Sequence, residues 1–448
     1  MNYSEALAYI QSLSDIERSR EVTQAPPRFN LDRVHRLLAL AGQPQDQFKS
    51  IHITGTKGKG STAAMLDSVL RASGYKVGLF TSPHLHSFLE RISINGDPIS
   101  ESRLAAIATE LAPLVELVER QHPDLGRLTT FEVTTAIAAK YFAEMGIDFG
   151  ILEVGLGGRL DATNVVTPQV AIITSISIDH NRFLGDTPLA IATEKAGIIK
   201  PGIPLVSAPQ RPEVIALIRA TCLERGAKLI EVGRDVRWTT DGVGPDRTTS
   251  VAGRLGTYSG LRLALRGGHQ EVNAVVAVAA LEVLREQGAQ VDQSAVREGL
   301  SSVWWPGRLE TVGLRPRVVV DGAHNVDSMV KLGSALQTCF PHRRLILVLG
   351  ISLDKDIPGM IEAIAPLAST VVATRSSHPR SAETGMLAAE AKKYVDDVYE
   401  TDSVEAALRF AIDQAGEDDL ICATGSLFVV AEAREAMGLK SISDRFRE

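Results

Sequence analysis

Residues Ile53–Thr62 read ITGTKGKGST and gather three glycines, two lysines and a Ser-Thr pair. Glycines at 55, 58 and 60 let backbone N–H groups turn toward an anion, and the N-terminus of a following helix adds partial positive charge. Gly55, Thr56, Lys57, Gly58, Lys59, Gly60 and Ser61 therefore form a candidate phosphate cradle. In it Lys59 reaches the outer phosphates of a nucleotide and Ser61 a magnesium ion. The spacing departs from GxxxxGK[ST], because Gly60 separates Lys59 from Ser61. Such a loop works with a metal-binding carboxylate at the end of another strand. Glu153 meets that description: apolar Phe149–Leu152 precede it and glycines at 155, 157 and 158 follow. An ionised carboxylate in that run is costly to bury without a cation. His180, beyond the strand expected over Val170–Ile176, is a second candidate ligand at a strand exit. His84 and His86 form an H-x-H with no third ligand close by, a weak metal signature.

Groups of this kind need strands that all deliver their ends to one edge. Short β-branched runs alternate with helical patterns along the chain, the mark of an α/β architecture with a mostly parallel sheet. Asn30 is placed to cap a helix carrying Leu31, Val34 and Leu38 and stopping near Gly42. Strands are expected at Ile51–Ile53, Lys76–Phe80, Phe149–Val154, Val170–Ile176 and Pro204–Ser207, with a helix over about Ser61–Ser73. The polar, Gly-, Thr- and Arg-rich segment Gly233–Gly267 reads as a small antiparallel excursion, and a helix follows over about Asn273–Gln287. After the SSVWWPG break at Ser301–Gly307 the alternation resumes, with strands at Arg317–Val320, Leu345–Leu349, Thr370–Thr374 and Asp419–Ala423. The expected division is an ATPase-type phosphate-loop domain over 1–303 and a smaller Rossmann-like α/β domain over 304–448.

Composition sets the outer bounds. The chain has 448 residues, 44% hydrophobic and 23% charged, which suits globular domains rather than disorder. A net charge of −7 gives no global positive field to draw in nucleic acid, although local basic loops can still hold a nucleotide. Cys222, Cys339 and Cys422 lie far apart, with no CxxC, and fit a reducing compartment better than a disulfide framework. The opening MNYSEALAYIQSL lacks a basic region followed by an apolar core, and Val275–Leu284 is interrupted by Glu282 and too short to span a bilayer. A soluble, cytoplasmic protein is expected.

The motifs then fall into a recognisable order. ITGTKGKGST is followed by TSPHLHSFLERISING (Thr81–Gly96), FEVTTA (Phe131–Ala136), LEVGLGGRLDATN (Leu152–Asn164) and IATEKAGIIKPG (Ile191–Gly202). GGHQEVNA (Gly267–Ala274), PGRLE (Pro306–Glu310), DGAHN (Asp321–Asn325), LDKD (Leu353–Asp356) and TGSLF (Thr424–Phe428) complete the series. Together they resemble the folylpolyglutamate synthase/dihydrofolate synthase family of the Mur ligase superfamily, over nearly the whole chain.

The resemblance implies an ATP-dependent amide ligase. ATP phosphorylates a pterin-linked carboxylate, and the amine of L-glutamate attacks the acyl phosphate. The acceptor is dihydropteroate, a folate, or both. A carboxylate is a poor electrophile and repels the γ-phosphate, so cations must neutralise both partners and hold them in line. Position by position, the resemblance implies that Lys59 contacts phosphate and that Ser82, Glu153 and His180 are ligands for magnesium, with two Mg²⁺ sites. Lys195 matches a lysine that is carbamylated in the superfamily, where an anionic carbamate suits a metal-rich site better than an ammonium. Asn273, Arg308 and Asp321 match ATP contacts, His324 and Ser426 match positions for the incoming glutamate, and a monomer is implied. The pterin is expected near Thr129, Thr130, Phe131, Glu132, Leu160, Asp161 and Ala162, with Phe131 as stacking partner. Nucleotide contacts on both sides of the linker put ATP in the interdomain cleft.

Three details depart from the common bacterial pattern: LTTFE for LTYFE, GTKGKGS for GTNGKGS and DGAHNV for DGAHNP. The first lies where dihydropteroate and longer folates are expected to be told apart. Two rivals remain to be weighed: a Mur-type ligase acting on a UDP-linked peptidoglycan precursor, and a nucleotide-binding homologue without catalysis. The LEVGLGGRLDATN motif and the lack of a clear UDP-binding domain before residue 50 argue against the first. Glu153, His180, Lys195 and Arg308 argue against the second.

Overall fold

The computed structural model describes residues 1–13, 30–177, 185, 187–242 and 244–446. His180 lies outside the described residues. The described residues build three sheets. The first contains β1 (Lys49–Thr54), β2 (Val77–Phe80), β3 (Ile92–Ile94), β4 (Asp97–Pro98), β5 (Phe149–Glu153), β6 (Val170–Ile173), β7 (Leu205–Ser207) and β8 (Leu229–Glu231), in the order β4-β3-β2-β5-β1-β6-β7-β8. From β2 to β8 every neighbour is parallel, and β3 and β4 add an antiparallel edge.

Helices cover both faces, so the inner strands are apolar throughout rather than alternating. On one side the helices Lys59–Ala72, Gly268–Glu286 and Gln293–Ser302 share a core with Ile51, Ile151 and Ile172. On the other, the helices Leu31–Leu40, Glu101–Gln121 and Thr130–Glu144 bury Leu37, Leu104 and Phe142 against Phe80 and Leu152. The Asn30 side chain caps the first of these as expected, accepting from the Asp32 N–H at 2.6 Å.

The apolar stretch Val275–Leu284 is a helix buried all round, as a helix apolar on every face must be. Its one interruption, Glu282, is fully buried and accepts the N–H groups of Arg254 and Leu255 at 2.7 and 2.9 Å. Among the described residues, no helix is long and apolar enough to cross a membrane.

The excursion is a three-stranded antiparallel sheet of β9 (Arg237–Asp241), β10 (Thr248–Ala252) and β11 (Thr257–Leu261). Beyond the linker, β12 (Glu310–Leu314), β13 (Arg317–Val320), β14 (Leu345–Leu349), β15 (Thr370–Ala373), β16 (Asp397–Glu400) and β17 (Leu420–Thr424) form the third sheet, in the order β12-β13-β17-β14-β15-β16. Only β12 runs antiparallel. The architecture is thus α/β, with a large, mostly parallel N-terminal sheet and a C-terminal sheet domain.

Two helices begin earlier than their apolar periodicity announces, at Lys59 instead of Ser61 and at Gly268 instead of Asn273. In both, a polar first turn precedes the buried stripe. Strands β3, β4, β8, β12 and β16 lie at or next to sheet edges. Largely exposed β16 (Asp397–Glu400) shows why such strands are hard to read: it lacks the apolar run that marks a central strand.

Candidate active site

Strands β1, β5 and β6 are parallel neighbours, and Thr54 and Glu153 end β1 and β5 while Thr174 directly follows β6, at the C-terminal edge where open α/β sheets bind ligands. The chain leaves β1 through Gly55, whose φ of +150° and proximity to Thr174 exclude any side chain: an added Cβ would stand 1.8 Å from Thr174 Oγ1. The Thr56 N–H donates to the Ser175 carbonyl at 2.8 Å, and Thr56 Oγ1 to the Ser177 carbonyl at 3.0 Å, so the loop is pinned to the exit of β6. Gly58, at φ +89°, caps the helix Lys59–Ala72 and presses on Asn273. Asn273 Nδ2 donates to Gln270 Oε1 at 2.9 Å, and Gln270 Nε2 donates to Ser61 Oγ at 3.3 Å. The motif around Asn273 thereby braces the cradle from above.

Two lysine ammoniums meet at one carbonyl. Lys59 Nζ donates to Gly55 O at 3.2 Å, and buried Lys195, in the last turn of the helix Pro188–Ala196, donates to the same oxygen at 2.9 Å. Glu153 is also buried, with Lys59 Nζ 3.9 Å from its Oε1 and the Ser82 N–H on its Oε2 at 3.2 Å. Burial pushes its carboxyl upward, opposed chiefly by Lys59, then by the Ser82 amide and the charge of Arg308. Among the described residues no cluster of three His, Cys, Asp or Glu side chains stands ready for a metal. One carboxylate and one serine hydroxyl suit a hard cation that takes its remaining ligands from phosphate and water.

Arg308 comes from the other side of the linker. Its backbone is clamped at both neighbours: the Gly307 N–H donates to Glu310 Oε2 at 2.8 Å, and the Leu309 N–H to Asp321 Oδ2 at 2.9 Å. Leu309 adopts a left-handed φ of +47°. Asp321 accepts the Ala323 N–H with its second oxygen at 2.9 Å, and burial raises its carboxyl while Arg308 opposes the shift. Because Val320 on β13 pairs with Ala423 on β17, the segments 321–325 and 424–426 emerge together. His324 accepts from Lys57 Nζ at Nε2, 3.2 Å away, and its Nδ1 proton goes to the Gly322 carbonyl at 2.8 Å. The phosphate loop and the C-terminal domain therefore touch directly. Ser426 caps the helix Leu427–Ala436 through the Val429 N–H.

The segment expected to hold the pterin divides by role. Thr129 and Glu132 form a capping box, and Glu132 is ion-paired with buried Arg33 at 2.9 Å. Thr130 Oγ1 donates to the Ile10 carbonyl at 2.9 Å. Asp161 accepts from the Leu156 and Thr163 N–H groups, both at 3.0 Å, and burial raises its carboxyl. These polar side chains hold the backbone. Half-buried Phe131 packs on Phe80, with ring centroids 5.7 Å apart, and lies over Gly155, where an added Cβ would sit 2.7 Å from its Cζ. Leu160 is half-buried in the neighbouring turn, and Ala162 begins a short 3₁₀ turn with its side chain buried.

The Mur ligase middle domain matches residues 53–281, and the Mur ligase glutamate ligase domain matches residues 307–427. A Bacillus subtilis protein named dihydrofolate synthase/folylpolyglutamate synthase is 36% identical, covering 91% of this chain and 94% of its own. The chain belongs to this family. A Mycobacterium tuberculosis folylpolyglutamate synthase complexed with ADP superimposes with a TM-score of 0.87 at 35% identity, covering 97% of this chain and 98% of that one. A folylpolyglutamate synthase–AMPPCP–folate complex gives 0.84 at 33% identity, over 98% and 100%. This chain is accordingly a Mur-type, ATP-dependent ligase that adds glutamate to a folate-type acceptor.

Three parts of this ligase's site escaped the sequence reading. Arg33 carries no local signal, because its partner Glu132 is remote in sequence. Gln270 sits inside the HQEVNA motif, yet its link to Ser61 depends on the helix starting at Gly268. Trp305 packs its indole on Gly60, where an added Cβ would approach to 3.0 Å. Its signal was the WWPG break itself.

Proposed function

We propose that this synthase uses both pterin acceptors, dihydropteroate and reduced folates, and that its residues divide the work across the cleft. The observation that carries the reading is Glu153, a buried carboxylate held between Lys59 of one domain and the charge of Arg308 from the other. In this reading Gly55–Ser61 bind the nucleotide phosphates, with Asn273 and Asp321 contacting the nucleoside. Lys59 and Arg308 draw charge from the γ-phosphate as the acceptor carboxylate attacks it. Ser82 and Glu153 would hold Mg²⁺, joined by His180, and the ion supplies charge neutralisation that the lysines alone do not. His324 and Ser426 orient the incoming glutamate so that its amine meets the acyl phosphate. Phe131, Leu160 and Ala162 receive the pterin, while Thr129, Thr130, Glu132 and Asp161 shape its pocket.

Lys195 is carbamylated in the working enzyme. As an ammonium it shares one carbonyl with Lys59, and a carbamate would turn that like-charge meeting into an ion pair. Intact-protein mass should show one added CO₂ that Lys195→Ala removes. Full activity of Lys195→Ala without bicarbonate would refute the role.

The domain boundary is placed at 303/304, the enzyme is read as a cytoplasmic monomer, and closure over ATP excludes water from the acyl phosphate. Small-angle scattering should contract with a non-hydrolysable ATP analogue. The deciding assay is ADP release with glutamate plus dihydropteroate, tetrahydrofolate monoglutamate or a UDP-linked peptide precursor. Turnover is expected with both pterins. ADP release with only one pterin would refute dual acceptor use, and release with neither would overturn the whole reading.

A further inference from the structure

The H-x-H of the TSPHLH loop finds no metal partner among the described residues, but it does find a partner across the domain junction. The His86 imidazole, 5% exposed, lies between two consecutive residues of the helix Leu427–Ala436. Arg434 Nη1 donates to its Nε2 at 2.6 Å, and its Nδ1 stands 3.1 Å from Glu435 Oε1. Arginine can only donate, so Nε2 must accept and the ring proton sits on Nδ1, facing the carboxylate.

Arg434 is fully buried and serves several segments at once. Its Nε faces both oxygens of Glu310 at 3.0 and 3.1 Å, and its terminal nitrogens donate to the carbonyls of Ser441 and Asp444 at 2.9 and 2.7 Å. Glu310 Oε2 in turn accepts the Gly307 N–H at 2.8 Å, immediately before Arg308.

The other end of the chain of contacts is equally stiff. Glu90 is buried and accepts the N–H groups of Leu85, His86 and Ser87 at 2.7, 3.0 and 2.8 Å. The turn carrying His86 is thus held four residues after Ser82, whose amide is bound to Glu153. Between loop and linker lies a crevice lined by Thr81, His84, Leu85, Trp305, Arg308 and Leu427.

We propose that His86 and Arg434 are positioning residues: a clasp that fixes the Ser82 loop of one domain against the Arg308 linker of the other. The proposal rests on the reading of Arg308 as a phosphate contact in the reaction. Neither clasp residue touches the reacting atoms. Their effect reaches the site only through the geometry of Ser82 and Arg308 at the γ-phosphate, so it falls on turnover rather than on binding of a nucleoside diphosphate.

The test uses the full-length enzyme and three variants. His86→Leu keeps bulk but removes the acceptor, and His86→Gln restores an acceptor oxygen at the reach of Nε2. Arg308→Ala is the control for the underlying reading. His86→Leu should lower kcat about tenfold or more, a size typical of losing a supporting contact behind a functional group. ADP affinity and the thermal midpoint should stay near those of the parent, and His86→Gln should recover most of the rate. A parental kcat in His86→Leu overturns the clasp. So does an equal loss in Leu and Gln variants accompanied by a lowered midpoint, which marks a purely structural role. If Arg308→Ala retains activity, the phosphate reading itself fails, and that result is separate from either His86 outcome. Arg434→Lys is held in reserve for the same kcat-against-affinity comparison, since its complete burial puts folding at risk.

Discussion

Substituting Gly58 by alanine tests whether the cradle and the Asn273 motif are one mechanical unit. The residue has φ +89°, and a Cβ there would lie 2.4 Å from Asn273 Oδ1. Left-handed backbone costs an L-residue about 1–2 kcal/mol. Relieving the clash swings Asn273 away and breaks its 2.9 Å bond to Gln270, at a net cost of about 1 kcal/mol. Gly58→Ala should therefore lose about 2–3 kcal/mol, and Asn273→Ala about 1 kcal/mol through the same bond. In the double variant the clash is gone and the bond is lost only once, so the total should stay near about 2–3 kcal/mol, leaving a coupling of about 1 kcal/mol. At about 2–4 °C per kcal/mol for a domain of this size, Gly58→Ala and the double variant should melt within a few degrees of each other, both well below the parent. Nucleotide affinity should fall in Gly58→Ala and should not return in the double. Strict additivity, within about 0.5 kcal/mol, would refute the brace.

Further outcomes follow from buried charges. Arg33→Met strands Glu132 without its partner and should destabilise by about 3–5 kcal/mol, with part recovered in Arg33→Met/Glu132→Gln, read as unfolding midpoints. Asp67, buried beside Arg71, is raised by burial from 3.8 to about 6. Its stabilising contribution is complete below about pH 3.8 and fades as pH rises through about 6, by about 3 kcal/mol in all. Asp67→Asn should therefore gain stability relative to the parent as denaturation is moved from pH 4 to pH 7, and a pH-independent difference would contradict the assignment. Glu153→Gln removes a carboxylate that burial disfavours, so stability should hold or rise while turnover falls by about 10²-fold or more, a split that paired melting and ADP-release assays resolve.

Much of the site was legible because its chemistry is local in sequence. ITGTKGKGST carries its own strand, turn and helix start, and Glu153 announces itself as a charge ending an apolar run. The central strands read as strands because both faces are buried. What was not legible depends on pairing across distance. Glu132 is read from its motif, but its ion pair with Arg33, 99 residues away, has no local signal. His86 looks like half of a metal site because its true neighbours, Arg434 and Glu435, lie at the far end of the chain. The early starts at Lys59 and Gly268 were hidden because glycine and polar residues fill the first turns, where ligand contacts rather than core packing decide the sequence.

The position of β17 has a consequence for how the chain is made. It lies between β13 and β14 in the C-terminal sheet, yet it is synthesised after β14, β15 and β16. Until Leu420–Thr424 emerges, β13 and β14 each present an open edge of unpaired backbone groups, the surface that recruits other strands into aggregates. The N-terminal sheet waits in the same way for β5, which inserts between β2 and β1, but that wait ends at Glu153, long before the C-terminal sheet begins. A nascent chain halted shortly before residue 420 would therefore carry a finished phosphate loop beside a sheet split along its middle, a marked substrate for chaperones and proteases. The segment from Leu420 onward closes that split and brings in Arg434, so the C-terminal sheet and the Arg434 contacts are completed together.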